Sequence, residues 1–557
     1  MQPEIIVRTP KKQIEACILP ELPDGFEFVS RIVSNRVSSI DHLMGYLQSD
    51  SAFMPSPDNI KDMDKAAVLL AETIRKDEKI CLHYDWDSDG IGSAALVTRA
   101  FHIFGYRKFK ATCPDRATEN HGLNMRVIDE AEAFGASLIL TVDNGSSNIA
   151  EIAEAKKRGM KVIITDHHET PDAAHGADVL VNPKHPDDTS GDPDFCGAGI
   201  AYLLMLKLAE ILGIEESLDE CLQMAAISTM ADVVPLSVNN RRLVKAGVEA
   251  IRANPLPLVA AIAKEKKMET ATIKGSDLAW SYAPLVNAAG RIEKAAIAYA
   301  ALLAQEGRAE KAAAYLLDCN KRRRDMTTRT DEADAEWKYE GDSVVLYACK
   351  AWHPGIVGLV AGRISRETGK VAGCAMQDVN GNWRFSLRSP ATGSGIAEAI
   401  KEIVSKDLSL GGGGHDGAGG LTVQPDKLDL FANAFDKAIH NVVVKMEVDG
   451  EITPSWWTVE RIEFMDEMVE PYGHANPAVL MKWQGVIDEV SPIGEQHIKM
   501  SADGIEAMWF NVKDRDAWMD AVRGRSVTIV YQPSVNKFRG TSRVQALVSM
   551  VSYEQVR

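Results

Sequence analysis

The sequence predicts an α/β protein that ends in a small β-barrel, and three stretches carry the prediction. From residue 79, short apolar strands alternate with helices: Lys79 to Tyr84, Ser137 to Val142 and Lys161 to Thr165 read as strands, which is the signature of a parallel sheet. From Ser343 a second, smaller α/β unit follows, with strands over 343–349, 370–377 and 382–388 and helices over 355–367 and 394–405. After a helix over 426–446, short strands divided by turn residues fill the tail, at 483–490, 497–500, 505–510, 526–531 and 545–551. Many short strands at that spacing predict a barrel.

Composition narrows the class. A chain of 557 residues holds roughly three to four domains, and its apolar and charged fractions of 45% and 25% are ordinary for a globular protein. No apolar run reaches the roughly 18 residues of a membrane span, and the start, with Pro3, Glu4 and Arg8, lacks the apolar core of a signal peptide. The expectation is a cytoplasmic protein without a membrane partner. Eight cysteines, at 17, 81, 113, 196, 221, 319, 349 and 374, form no Cys-x-x-Cys pair, which favours reduced thiols over a disulfide frame or a zinc site. A net charge of -17 excludes indiscriminate coating of nucleic acid by the whole surface, but not a local basic groove.

Residues 1–75, punctuated by prolines at 20, 23, 55 and 57 and carrying a helical pattern at 61–76, read as a lead-in to the first sheet. The first strand runs into Asp85-Trp-Asp-Ser-Asp-Gly90, and Ile91 to Val97 opens a helix. Three carboxylates at alternate positions thus sit where open α/β sheets place their ligands, and they repel one another unless a cation or proton lies between them. A metal is the simplest account; a solvated acidic turn is the plainer alternative. A calcium loop fails, because no Glu stands at the twelfth position and the flanks are a strand and a helix. The second strand ends in Thr141-Val-Asp-Asn-Gly-Ser146 and the third in Thr165-Asp-His-His-Glu169. One His-His pair is usually structural. Three successive strands ending in Asp or His set His83, Asp85, Asp87, Asp89, Asp143, Asp166 and His167 along one rim, with the oxygen and imidazole ligands that suit manganese or magnesium. Asp232 follows helices over 197–229, and an Asp in that setting must cap, pair or ligate.

Residues 293–340 read as strongly helical, with Asn320-Lys-Arg-Arg-Arg324 and an acidic run from Asp331 to Glu340. They form either a solvated linker or a helix joining two lobes with its basic residues toward a cleft. Gly411-Gly-Gly-Gly-His415 is a flexible turn or, beside Ser386 and Arg388, a phosphate cradle. In the tail, Trp509, Phe510, Tyr531 and Phe538, with Lys537 and Arg539, are core residues or a stacking platform for bases.

Asp85-Trp-Asp-Ser-Asp-Gly90, Val142-Asp-Asn-Gly145, Asp166-His-His168 and Ala231-Asp-Val-Val-Pro-Leu236, in this order, resemble the four metal motifs of the DHH phosphoesterase superfamily. Cys196-Gly-Ala-Gly199, Pro284-Leu-Val-Asn-Ala-Ala-Gly-Arg291, Trp352-His-Pro-Gly-Ile-Val-Gly358, Ser386-Leu-Arg-Ser389, Gly413-Gly-His415 and Asn536-Lys-Phe-Arg-Gly540 narrow the resemblance to the RecJ family of single-strand-specific exonucleases, over residues 79 to 550. The chain departs from the family at Trp86, where a smaller or phenolic residue is usual, at Gly92, where Thr is usual, and at Gly413-Gly-His-Asp-Gly-Ala-Gly-Gly420, where Gly-Gly-His-x-x-Ala-Ala-Gly is usual; Asp416 beside His415 is expected to alter phosphate affinity.

The resemblance implies a DHH catalytic domain over 76–305, a linking helix over 306–340, a DHH-associated substrate-binding domain over 341–447 and an OB-fold over 448–557. It implies a 5′-to-3′ exonuclease that degrades single-stranded DNA to mononucleotides in repair and recombination, using two Mn2+ or Mg2+ ions bridged by Asp143. By the same carry-over Asp87 and Asp89 go to different metals, His167 to one of them and Asp232 to the far side of the site, while His83 or Asp85 completes the ligands of the first metal. Asp143, His167 and His168 form the catalytic set, with His168 toward the phosphate and Asp166 orienting an imidazole. Arg116, Arg291, Ser386, Arg388 and His415 hold the substrate, with Arg116 near the first bases. A monomer with single-strand-binding protein as partner is the family's pattern. Two rivals stand beside this reading. A DHH phosphodiesterase for short oligonucleotides or cyclic dinucleotides is opposed by the barrel over 450–557, and an inactive DNA-binding scaffold by the complete ligand set.

Overall fold

The computed structural model describes residues 3–19, 22–48, 54–116, 119, 121–170, 176–440, 444–538 and 540–553, with residues 488 and 538 described by backbone alone. The chain forms two compact units, residues 49–442 and residues 1–48 together with 443–557.

The larger unit begins with a five-stranded sheet, all parallel, in the order Phe109–Thr112, Ile80–Tyr84, Leu138–Val142, Lys161–Thr165, Val179–Val181. Its central strands are buried on both faces, which is why they read as continuous apolar runs. Ile80, Leu82, Leu138 and Leu140 face a core shared with the helices Met63–Arg75, Ser88–Ile103 and Gly197–Leu212. Their neighbours Cys81, Ile139, Val162 and Ile164 face the helices Met125–Phe134 and Ile149–Lys157. The two edge strands, 109–112 and 179–181, are too short to stand out by pattern and were not expected from the sequence.

A second sheet of six strands has the order Gly411–His415, Ala418–Val423, Trp383–Arg388, Val371–Gln377, Val344–Ala348, Trp337–Glu340. Alternation sends Val345 and Tyr347 toward the helix Val357–Thr368, and Val344, Leu346 and Ala348 toward the helices Ile396–Ser405 and Leu428–Ala438. Three expectations change here. The linking helix is shorter than 306–340: it spans Ala309–Arg329, and Trp337–Glu340 is an edge strand because half-buried Trp337 and Tyr339 alternate with exposed Lys338 and Glu340. The glycine run is neither turn nor loop but an edge strand, in register with 418–422. The helix expected over 426–446 ends at Ala438, and Lys445–Val448 is a strand.

The other unit contains a barrel. Strands Met481–Ile493, His497–Ala502, Ile505–Trp509, Thr541–Ser552 and Ser526–Phe538 pair in that order, and the last returns to the first through Met481–Val486 against Ser526–Tyr531. Five strands closed on themselves are the architecture expected of an OB-fold. The first 48 residues do not lead into the catalytic sheet. Ile14, Ile18, Val29, Ile32 and Val33 bury their side chains in the barrel's own core with Ile462, Met465 and Val469, and Glu4–Val7 pairs in parallel with Lys445–Val448. A buried ion pair, Arg36 to Asp449 at 2.7 Å, ties the two chain ends together. Tyr531 is core, not platform: its hydroxyl bonds Trp457 Nε1 and Ile452 O. Lys537 pairs with Glu463, Trp509 packs edge-on against Trp518, and Phe510 is exposed beside His497. The Phe538 side chain and Arg539 lie outside the described residues. Among the described residues no helix is long and apolar enough to cross a membrane.

Candidate active site

Each central strand of the parallel sheet delivers ligands at its carboxyl end, and helix N-termini fix them there. Asp87 caps the helix Ser88–Ile103, its Oδ1 accepting from the N–H groups of Asp89 at 2.9 Å and Gly90 at 3.1 Å. Asp89, in the first turn of that helix, also accepts from Gly197 N at 2.6 Å and Ala198 N at 2.9 Å, at the start of the helix Gly197–Leu212. Two helix N-termini thus converge on one buried carboxylate, a favourable place for negative charge. Asp143 follows its strand in the left-handed region at φ 61, and its N–H still bonds Thr165 O at 2.9 Å. A side chain at Gly197 would place Cβ 2.5 Å from Asp143 Cβ, so only glycine lets that helix approach so closely.

Asp166 ends the next strand and is saturated. It accepts from Ser146 N, His167 N and His168 N, and its Oδ1 lies 2.7 Å from His168 Nδ1. The imidazole it orients is therefore that of His168. His167 Nε2 lies 3.1 Å from Asp143 Oδ1 and 3.7 Å from both Asp89 Oδ2 and Asp232 Oδ2. Asp232 is the last residue of the helix Asp219–Asp232. In each of three groups the ligand atoms lie within 4.8 Å of one another: Asp85, Asp87 and Asp143; Asp89, His167 and Asp232; Asp143, His167 and His168. His83 stands outside these groups, fully buried, with Nδ1 3.2 Å from Thr112 Oγ1.

The electrostatics fit a cation. Burial, then the charge of Asp87, pushes the Asp85 carboxyl up to about 7 and Asp89 to about 6. Burial and Asp89 push Asp232 to about 7, and burial with the four other carboxylates raises Asp143 well above the ordinary range. Asp143 Oδ1 is buried and has no hydrogen-bond donor among the described residues, although His167 Nε2 lies close to it. A buried carboxylate oxygen without a donor is one that a bound cation would satisfy. Burial depresses His167 and takes His83 down to about 4, so both rings are neutral donors. His168 differs: burial works against its charge, but the Asp166 bond outweighs it and raises the ring to about 9.

Arg116 feels the charges of Asp85 and Asp87, and Arg291 that of Asp87; Arg384 lies near the first of these arginines, Arg323 near the second and Arg388 near both, and none of the five has a carboxylate partner among the described residues. Arg291 donates to Gly355 O and Arg388 to Leu387 O. Burial, then repulsion from Arg116 and Arg388, lowers Arg291 to about 10 despite the pull of Asp87. Arg384, Ser386 and Arg388 share one face of their strand. Ser386 Oγ and an Arg388 Nη converge beside Gly358, in the first turn of the helix Val357–Thr368, where an anion is favoured. His415, Ala418 and Arg388 form a row across three strands. Asp416 does not confront a phosphate there: its carboxylate accepts from Gly393 N and Gly395 N, which hold it below the usual range.

Sequence reasoning missed His121, whose Nδ1 is 3.6 Å from Asp85 Oδ2 and whose ring lies 5.5 Å from that of His168. It sits on a loop with no periodic pattern to flag it. Arg384 was also missed, although its two-residue spacing from Ser386 and Arg388 was a usable signal.

Comparison with known proteins matches three domain families along the chain: the DHH family N-terminal domain at residues 79–229, the DHHA1 domain at 341–441 and the RecJ OB domain at 448–550. The single-stranded-DNA-specific exonuclease RecJ of Escherichia coli (strain K12) is 29% identical over 527 residues, 88% of this chain and 90% of that protein. The protein of the same name from Thermus thermophilus is 31% identical over 464 residues, 81% of this chain and 66% of its own length. A crystal structure of Thermus thermophilus RecJ with Mn2+ superposes with a TM-score of 0.81 at 23% identity, covering 99% of this chain and 80% of that one, which shows the shared fold. A structure of exonuclease RecJ bound to manganese is 29% identical, with a TM-score of 0.56 over 68% of this chain and 94% of that one. With all three domains matched in order, and relatives of one kind aligned along most of its length, the chain belongs to the RecJ family of the DHH phosphoesterases.

Proposed function

We propose that this chain is a metal-dependent exonuclease that degrades single-stranded DNA from the 5′ end to mononucleotides, in DNA repair and recombination. One observation carries the reading: carboxylate and imidazole groups that share Asp143 lie beside arginines that have no carboxylate partner among the described residues. Clustered cations of that kind await a polyanion, and the acidic groups await its counter-charge. The relatives' names supply the substrate class.

Manganese or magnesium, held as two ions by Asp87, Asp89, Asp143, His167 and Asp232 with His83 or Asp85, would supply a low-pKa water and neutralise charge on a phosphodiester. The protein's own groups prepare the substrate. Ser386, Arg388 and the helix start at Val357 bind phosphate oxygens, with Arg388 as a two-pronged donor, and His415 lies in line with them. Arg291, anchored on Gly355, and Arg116 oppose the charge of the scissile region. His168, kept protonated by Asp166, presents its other N–H to a phosphate oxygen. The reading carries with it a cytoplasmic monomer that meets single-strand-binding protein on its substrate.

The test is to incubate the chain with Mn2+, Mg2+ or EDTA on 5′-labelled single strands, duplex, dinucleotides and cyclic dinucleotides. We expect labelled mononucleotide from single strands only, and none in EDTA. Cleavage confined to dinucleotides, or tight strand binding without cleavage, overturns the proposal. A block at the 5′ end should stop the reaction, whereas a block at the 3′ end should not.

A further inference from the structure

Arg116 is half-buried beside Asp85 and Asp87, whose charges favour its own while burial and Arg384 oppose it. Among the described residues it nevertheless makes no ion pair and no hydrogen bond. Its guanidinium carbon stands over the indole of Trp86, 5.6 Å from the ring centroid. Trp86 is itself well fixed. Its main-chain N–H donates to Asp85 Oδ1 at 2.8 Å, and its carbonyl oxygen lies 2.1 Å from where a Cβ at Gly290 would stand, so that residue must be glycine. The ring is partly buried against the main core and meets the His121 ring edge-on at 6.4 Å.

We infer that Trp86 is a positioning residue: its indole holds the Arg116 guanidinium beside the acidic groups through a cation–π contact in place of an ion pair. The inference rests on the proposed substrate role of Arg116. An arginine paired with Asp85 or Asp87 would be spent, and it would take a ligand from the metal site as well. Held on an aromatic face, it stays charged, stays in place and keeps its five donors for a phosphate. The departure at position 86 then has a physical meaning, since indole is the strongest of the aromatic faces for a cation.

Trp86→Leu keeps an apolar side chain in the packing but removes the aromatic face; Trp86→Tyr keeps a face. In EDTA, anisotropy titration of a fluorescent single strand should show Trp86→Leu binding about 3- to 30-fold more weakly, the span of a cation–π contact. Trp86→Tyr should recover most of that loss. The slope of log affinity against log salt should shallow by about 0.7, one phosphate contact on a single strand. With metal, KM should rise while kcat changes little. Arg116→Ala and Trp86→Leu together should cost no more than Arg116→Ala alone. Additive losses, or a Trp86→Leu effect that depends on which base is presented, would overturn the inference, the latter because Trp86 would then stack on a base directly. If Arg116→Ala leaves affinity and salt slope unchanged, the substrate role of Arg116 fails first. If no single strand is bound by the unaltered chain, the proposed function fails.

Discussion

At the scale of single residues, the site is a store of unfavourable charge. Asp85, Asp89, Asp143 and Asp232 all have carboxyls raised by burial and by one another. In the unfolded chain these groups ionise near pH 4. Raised folded values mean that the metal-free protein has its full stability from these groups below about pH 4, and loses it as pH rises through about 6 for Asp89 and about 7 for Asp85 and Asp232. Asp143→Asn removes the charge that sits nearest the centre of the cluster. We predict that the metal-free variant melts above the unaltered protein, and that the gap in Tm widens as pH rises above about 4, because burial and the other carboxylates hold the Asp143 carboxyl well above its ordinary range. Hydrolysis should fall below about a hundredth, the scale of loss on removing a group that orders a metal site, and Mn2+ should raise the variant's Tm less than it raises the parent's. A variant that melts lower at pH 7 without metal would show that Asp143 is held by contacts and not strained by charge.

At the scale of elements, the legible parts were those where chemistry and periodicity coincide. Strand ends at 84, 142 and 165 could be read because an apolar run stops abruptly in Asp or His, and the parallel sheet followed from the helices between them. Glycine-rich edges escaped, because glycine has no side chain whose alternation could reveal a strand, and 411–414 is a strand only through its pairing. The first 48 residues escaped for another reason: their partner is more than four hundred residues away in sequence. The strand Trp383–Arg388 shows what the legible pattern is for. Its buried face, Trp383, Phe385 and Leu387, fixes the register that puts Arg384, Ser386 and Arg388 on the other face. If Arg388 binds the terminal phosphate, Arg388→Ala should reduce the preference of kcat/KM for 5′-phosphorylated over 5′-hydroxyl strands. Arg388→Lys should restore charge without the two-pronged geometry, and so recover only part of that preference. An unchanged ratio with both rates lowered would assign Arg388 to an internal phosphate.

At the scale of the whole molecule, the division into two units sets where the chain can be cut. Every proposed metal ligand and phosphate-binding residue lies within 49–442, which has its own cores around both sheets. The barrel's core is shared by the two chain ends, and Arg36 and Asp449 are each nearly wholly buried in their pair. Cutting only at 448 would strip Ile14, Ile18, Val29, Ile32 and Val33 of their cover and leave Arg36 without its acid, a loss on the order of 3–5 kcal/mol for the broken pair alone. We therefore predict that residues 1–448 aggregate, whereas residues 49–442 stay in solution with a cooperative melting transition. The two-ended deletion should still release mononucleotides from short single strands in Mn2+. If the barrel helps to hold the strand, the deletion should bind long strands more weakly and with a shallower salt dependence. Equal loss on short and long strands, in a 49–442 chain that melts cooperatively, would mean that the barrel unit contributes to the chemistry itself and not only to holding the strand.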